Sequence, residues 1–312
     1  MEVSRICLGC MGFGGSGGGE EFNWTVDEPE ATEVIDRAIE LGINFFDTAN
    51  YYSAGESEEI LGNTLSEYDR DEQVVASKVF FPMREDDPNA GGLSRKTIEQ
   101  ELDNSLERLN MDTLDLYQIH RWDPETPISE TLHALDDAVR RNKTRYIGAS
   151  SMWVHQFTDA LHASDELGLE RFATMQNHYN LVYREEEREM LPLCEAEEVG
   201  VIPWSPLAGG YLTRPHEDSE SLRDMDTEEQ YESSQDREIN ERVQELADEN
   251  GVSMAQIGIA WQLHKNVTAP IYGTTDVEHL EDAVEALEID LSESDLEYLE
   301  EPYAPRTIAG HE

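Results

Sequence analysis

LDLYQIHRWDPETPISETLHALDDAVRRNKTRYIGAS, Leu114 to Ser150, holds two short apolar runs on either side of one amphipathic segment. LDLYQIH and RYIGAS read as strands, and Ile128 to Asn142 between them carries helical periodicity. Strands joined through a crossover helix run parallel. The same alternation extends to both ends of the chain. Further strand candidates are RICLG, INFFD, VVASK, ATMQN, VIPW and TAPIYG. Helical segments are expected over Glu28 to Leu41, Glu56 to Leu65, Ser94 to Leu109, Val154 to Leu167, Arg184 to Val199, Arg237 to His264 with a break at Gly251, Val277 to Leu287 and Glu293 to Leu299.

Eight strands, each followed by a helix, predict an α/β fold: a closed (β/α)8 TIM barrel forming a single domain over 1–312. A doubly wound open sheet would want a compact glycine fingerprint between the first strand and helix. In MGFGGSGGGEEFNW the glycines lead through a long loop instead. There is no internal repeat and no linker. Arg214 to Asp236, rich in Glu, Ser and Asp, reads as a mobile excursion. The tail from 300 to 312 is expected to be irregular, either closing over the barrel mouth or fraying.

The charge balance narrows the partners. Lys and Arg number 22 against 69 Asp and Glu, a formal net charge of −47. Nucleic acid and anionic membrane surfaces both need a cationic face, so neither is an expected partner. The acidic residues spread over the whole chain as solvated helix faces, which suggests a salt-adapted (halophilic) protein whose self-repulsion is screened by molar salt. Three cysteines, Cys7, Cys10 and Cys194, give no disulfide framework and no zinc spacing. With no leader-like apolar region and no long apolar run, the expectation is a cytoplasmic protein.

In a barrel the C-terminal strand ends converge on one face. Read in order they are Asp47, Lys78, His120, Ser150 with Ser151, Gln176 with Asn177, and Trp204. Each has an ordinary explanation alone: a turn cap, a snorkelling lysine, a core histidine. Together they form a series that an apolar barrel does not need. Asp47 beside Lys78 would keep that buried ammonium charged. Tyr52, five residues beyond Asp47, would reach the same mouth, where a neighbouring ammonium is expected to lower its pKa. An Asp, Tyr, Lys and His set suits carbonyl reduction, with His120 polarising the carbonyl and Tyr52 giving the proton. A metal centre on Asp47, His120 and Asp123 is the weaker reading, and no metal is expected.

At this point the residues resemble the aldo-keto reductases. The matching pieces are FFDTANYY, VVASK, LDLYQIHRWDPETPISETL, RYIGASS, MQNHYNLVYREEEREMLPLC, GVIPWSPLAGGYLTRP and APIYGTTDVEHLEDAVEAL, in order from about Ile6 to Arg306. The likeness is to the microbial branch near the potassium-channel β-subunit group. It implies a carbonyl (aldehyde or ketone) reductase with Asp47, Tyr52, Lys78 and His120 as its catalytic tetrad. It implies a bound NADP(H), with NAD(H) as the alternative. Ser150, Ser151 and Gln176 match the carboxamide contacts, and Trp204 the ring that stacks on nicotinamide. Ser205, Leu207, Gly209, Leu212 and Arg214 match the pyrophosphate-covering loop, expected to be mobile over 205–236. Gly273, Thr274, Thr275, His279 and Asp282 match the adenosine end.

Asp276, where a lysine is common, and Ala283, where an asparagine is common, put a preference for the 2′-phosphate in question. Trp24, Tyr51, Phe80, Trp122 and Trp153 are candidates to line a pocket for a small carbonyl substrate. A regulatory subunit that senses nicotinamide nucleotide with slow turnover is the alternative function. The sequence leaves the substrate and the oligomeric state open.

Overall fold

A computed structural model describes residues 1–15, 24–84, 87–216, 231 and 233–311. Eight parallel strands form one sheet: β1 (Cys7–Gly9), β2 (Phe45–Asp47), β3 (Val74–Val79), β4 (Leu114–Ile119), β5 (Thr144–Ser150), β6 (Phe172–Gln176), β7 (Gly200–Val201) and β8 (Ile271–Gly273). Each strand pairs with its sequence neighbour, and β1 also pairs with β8. Between β7 and β8, Thr268 N donates to Val201 O at 2.7 Å and Ile271 N to Pro203 O at 2.8 Å. The sheet is thereby a closed (β/α)8 barrel, as the alternation predicted.

The strand period of two divides the side chains into two cores. Cys7, Phe45, Val74, Ala76, Leu116, Ile202, Ala269 and Ile271 make a buried cluster of their own, the filling of the barrel. The larger core lies between the strands and the helices and takes Leu8, Phe46, Val75, Tyr117, Ile147 and Met175 from the opposite strand faces. The helices are α1 (Glu28–Glu40), α2 (Glu56–Leu65), α3 (Arg95–Arg108), α4 (Ile128–Arg140), α5 (Val154–Leu167), α6 (Met190–Ala196), α7 (Ser234–Asn250), α8 (Met254–Leu263), α9 (Val277–Glu285) and α10 (Glu293–Glu300). In α4 the residues Thr131, Leu132, Ala134, Leu135 and Ala138 are buried, the spacing of an amphipathic helix. No helix among the described residues is long and apolar enough to cross a membrane.

Two segments differ from the sequence reading. Arg184 to Val199 is a short 3-10 turn, Glu185–Arg188, followed by α6, because Glu189 (φ −141°, ψ −45°) breaks the helix between them. Pro192 stands in the first turn of α6, where its missing N–H leaves no intrahelical bond unmade. The long helix expected to begin at Arg237 starts at Ser234, with Ser233 and Asp236 forming a capping box, and α7 ends at Gly251 with φ 68°. The glycine loop after β1 and the excursion after β7 lie partly outside the described residues, at 16–23, 217–230 and 232.

Candidate active site

Asp47 is the last residue of β2 and Lys78 lies one residue before the end of β3. Lys78 is fully buried, and its Nζ sits 2.5 Å from Asp47 Oδ1, 2.9 Å from Thr48 O and 3.1 Å from the Tyr52 hydroxyl. Three acceptors thus meet the three donors of an ammonium. The second carboxylate oxygen of Asp47 accepts from Gln118 Nε2 and from Gln176 Nε2, both at 2.9 Å. A buried ion pair with its remaining hydrogen-bonding capacity satisfied is a rigid unit rather than an isolated charge.

Tyr52 reaches this pair because the chain doubles back directly after β2. Ser53 (φ 47°) and Ala54 (φ 57°) are both left-handed, an unusual conformation for non-glycine residues. Gly14 makes room for the turn: a Cβ there would stand 2.4 Å from Ser53 Cβ. Strain retained beside a polar cluster is a recurrent property of functional sites. His120 follows β4 and presents its ring edge-on to Tyr52, with centroids 5.7 Å apart. His120 Nδ1 is buried without a hydrogen-bond partner among the described residues.

Burial works against the Lys78 charge, but Asp47 and then Tyr52 outweigh it and hold the ammonium above its ordinary pKa. Tyr52 corrects an expectation. Burial pushes its phenol above the usual 10.0; Lys78 pulls it down, and Asp47 pushes it back up. Burial, together with the Asp47 carboxylate that pairs with the ammonium at 2.5 Å, outweighs the pull of Lys78 on the phenol. His120 is held well below its ordinary value by burial, then by Lys78 and Arg121, and is neutral at physiological pH. The site therefore holds a protonated phenol, a charged lysine and a neutral imidazole.

Gln176 links this cluster to a second one. Ser150 Oγ donates to Gln176 O at 3.0 Å, and Trp204 Nε1 donates to Ser151 Oγ at 3.0 Å. Trp204 stacks on His178 with centroids 4.1 Å apart and planes 11° apart, and His178 stacks in the same way on Tyr183. Ser150, Ser151, Gln176 and Trp204 are thus together, beside the Asp47, Tyr52, Lys78 and His120 cluster. After β7, Ser205, Ala208, Gly209 and Gly210 all have positive φ. Leu207 and Leu212 are buried in the core, so only their backbone is available to a ligand. Arg214 closes this turn, its carbonyl held by Asn240 Nδ2 at 3.0 Å.

Gly273 ends β8, Thr274 and Thr275 follow it, and His279 and Asp282 lie on α9. Asp276 caps α9, its Oδ1 accepting from Glu278 N at 2.8 Å and His279 N at 3.4 Å.

The aromatic candidates separate. Tyr51 packs on Phe81 at 5.0 Å, and Phe81 packs on His120 at 4.9 Å. Phe80 and Trp122 pack against the outer core instead. Trp24 lies near Gly12, on the first loop. Trp153 is exposed and meets His311 edge-on at 5.0 Å. The tail is irregular, and it is tied down on the segment that follows β6: Arg306 N and Tyr303 Oη both donate to Glu185 Oε1, at 2.8 and 2.7 Å. Ala309 N donates to Tyr183 Oη at 2.9 Å. Gln118, Phe81, Arg121 and His178 are neighbours of the site that the strand-end reading missed. Gln118 had a visible signal, a second polar residue in an otherwise apolar strand.

Residues 5–304 match the model of a family described as the Aldo/keto reductase family. Aldo-keto reductase AFTS1 of Alternaria alternata is 40% identical, the match covering 100% of this chain and 91% of that protein. Versiconal hemiacetal acetate reductase of Aspergillus parasiticus is 40% identical over 99% of this chain and 96% of its own. Aldo-keto reductase dtxS3 of Metarhizium robertsii is 41% identical over 100% of this chain and 90% of its own.

Proposed function

The chain belongs to the aldo/keto reductase family and is an oxidoreductase of small-molecule carbonyls, and on that footing we propose that it reduces aldehydes or ketones with NADP(H), Tyr52 being the proton donor. One observation carries the assignment: the Tyr52 hydroxyl lies 3.1 Å from the buried Lys78 ammonium, with the neutral His120 ring beside it. A phenol held protonated in a polar cluster can give its proton to a carbonyl oxygen as charge develops there. The Lys78 ammonium then stabilises the phenolate left behind, and Asp47 keeps Lys78 charged and in place. His120 hydrogen-bonds the same oxygen from the other side and orients the carbonyl.

The second cluster fits a nicotinamide. Trp204 is a flat ring fixed at its edge by Ser151 and backed on one face by His178. Asn177 Oδ1 is buried without a partner among the described residues, an acceptor that a carboxamide N–H would satisfy. Ser150, Ser151 and Gln176 would hold that carboxamide. The positive-φ residues Ser205, Ala208, Gly209 and Gly210 would let the backbone come close to a pyrophosphate, with Arg214 just beyond them. When bound, the cofactor supplies the hydride from its C4 position. Thr274, Thr275 and His279 would face the adenosine phosphate, and the Asp276 carboxylate between them weakens discrimination against NAD(H).

Tyr51 and Phe81 would form the apolar side of the substrate pocket. The relatives carry reductase names, which gives the slow regulatory subunit no support. The test is oxidation of NADPH followed across aldehydes, ketones, quinones and sugar phosphates in molar KCl. Turnover of one or more carbonyl classes is expected. Tight nucleotide binding without turnover on any of them would overturn the reading.

A further inference from the structure

In so acidic a chain a cation close to the candidate site and without a counter-charge stands out. Several other half-buried cations sit on carboxylates: Arg108 on Glu58 at 2.6 Å, Arg184 on Glu187 at 2.7 Å, Arg306 on Asp236 at 3.1 Å. Arg121 is also half-buried, yet among the described residues no carboxylate lies within ion-pair distance of it. It donates a hydrogen bond from Nη1 to His120 O at 2.7 Å and lies over the Phe81 ring, 5.7 Å from the centroid. The nearest acid in sequence, Asp123, is spent elsewhere, accepting from Leu93 N, Glu125 N and Thr126 Oγ1 at 2.7 to 2.9 Å.

The position of Arg121 is equally specific. It follows His120 directly, and Phe81 touches both residues. Phe81 packs on His120 with centroids 4.9 Å apart and His120 meets Tyr52 at 5.7 Å, so the guanidinium over Phe81 lies beside the mouth where β3 and β4 end. Burial holds it below its ordinary pKa, as expected of a charge taken from water without a counter-ion. A guanidinium has five N–H donors, and one hydrogen bond among the described residues leaves most of them for a second partner.

We propose that Arg121 is a substrate-recognition residue and that the preferred substrates are carbonyl compounds bearing an anionic oxygen group, carboxylate or phosphate, that this guanidinium grips while the carbonyl lies between Tyr52 and His120. The inference rests on the reductase reading and deepens it. The field of the whole chain repels anions at its formal net charge of −47, so any preference for an anionic substrate must come from a local contact.

The test compares kcat/KM for pairs in which one member carries the anionic group: 4-carboxybenzaldehyde against the near-isosteric 4-carbamoylbenzaldehyde, and glyceraldehyde 3-phosphate against glyceraldehyde. Both pairs are run at one fixed ionic strength. The native protein is expected to favour the anionic member of one pair or both by about 10- to 100-fold, the range of a charge-assisted contact, and the pair identifies the group. In Arg121→Gln that ratio falls to about one, and Arg121→Lys restores part of it because the charge remains while the fork is lost. If Arg121 only supports the His120 carbonyl, both members of a pair slow equally and the ratio persists, which would overturn the proposal. A native ratio near one in both pairs, with neutral aldehydes reduced, would overturn it and leave the reductase reading intact. Failure to reduce any carbonyl would overturn both.

Discussion

Lys78 Nζ stands 3.1 Å from the Tyr52 hydroxyl and 2.5 Å from Asp47 Oδ1, so one buried ammonium bridges a phenol and a carboxylate. Its stronger bond is to the carboxylate. Burial keeps the phenol protonated, and in the proposed reaction Lys78 acts once the proton has left, when a phenolate needs a counter-charge.

Replacing Lys78 by Met tests that division of roles. The substitution leaves Asp47 with its bonds from Gln118 and Gln176 but without its counter-charge. Removing one partner of a buried pair costs about 3 kcal/mol of stability, and reductase turnover is expected to fall by at least about 100-fold. Denaturant titration and steady-state assays read the two effects separately. Turnover close to native would show that the ammonium does nothing for the phenol.

The pH profile follows from the directions of the shifts. Reduction needs Tyr52 protonated, and its pKa lies above 10.0 because of burial. His120 lies well below 6.5 and is already neutral. The kcat/KM for carbonyl reduction should therefore be flat from about pH 6.5 to about pH 9 and decline only at higher pH. An inflection within that plateau would show that one of the two groups titrates where the geometry says it does not.

Asp276 sits at the N-terminus of α9 with its carboxylate on two backbone N–H groups. Asparagine caps a helix equally well, so Asp276→Asn should leave stability within about 0.5 kcal/mol. Removal of a like charge beside a 2′-phosphate should raise the NADPH over NADH ratio of kcat/KM by about 3- to 10-fold. An unchanged ratio would place the phosphate away from α9.

The excess of acid predicts a dependence on salt. Screening shortens from about 10 Å at 0.1 M to about 3 Å at 1 M. The Tm is expected to rise by several degrees between dilute buffer and molar KCl. A Tm that stays level or falls would remove the case for salt adaptation.

Much of the site was legible because strand ends in a barrel converge. Asp47, Lys78 and His120 could be read as polar residues ending or interrupting apolar runs, and eight strands occur near the apolar runs, although β7 stops at Val201, short of Trp204. Gln118 was visible too, two residues before His120, and it pairs in register with Lys78. What escaped lies beyond the strands, where alternation of side chains no longer applies. Phe81, not Phe80, meets His120 because β3 ends at Val79 and the chain turns. The tail has no period at all, and its anchors join Glu185 to Arg306 and Tyr183 to Ala309, contacts that no local pattern encodes. The sign of the Tyr52 shift depended first on how deeply the phenol is buried, which a sequence does not carry.

The central claim, that Tyr52 delivers the proton, is tested most directly by Tyr52→Phe. The measurement is a single-turnover reduction by bound NADPH, with nucleotide affinity read in parallel from quenching of tryptophan fluorescence. The account predicts native affinity for the nucleotide and a reduction rate lower by about 100- to 10,000-fold. Native affinity with a near-native rate would contradict it, because another group would then be supplying the proton.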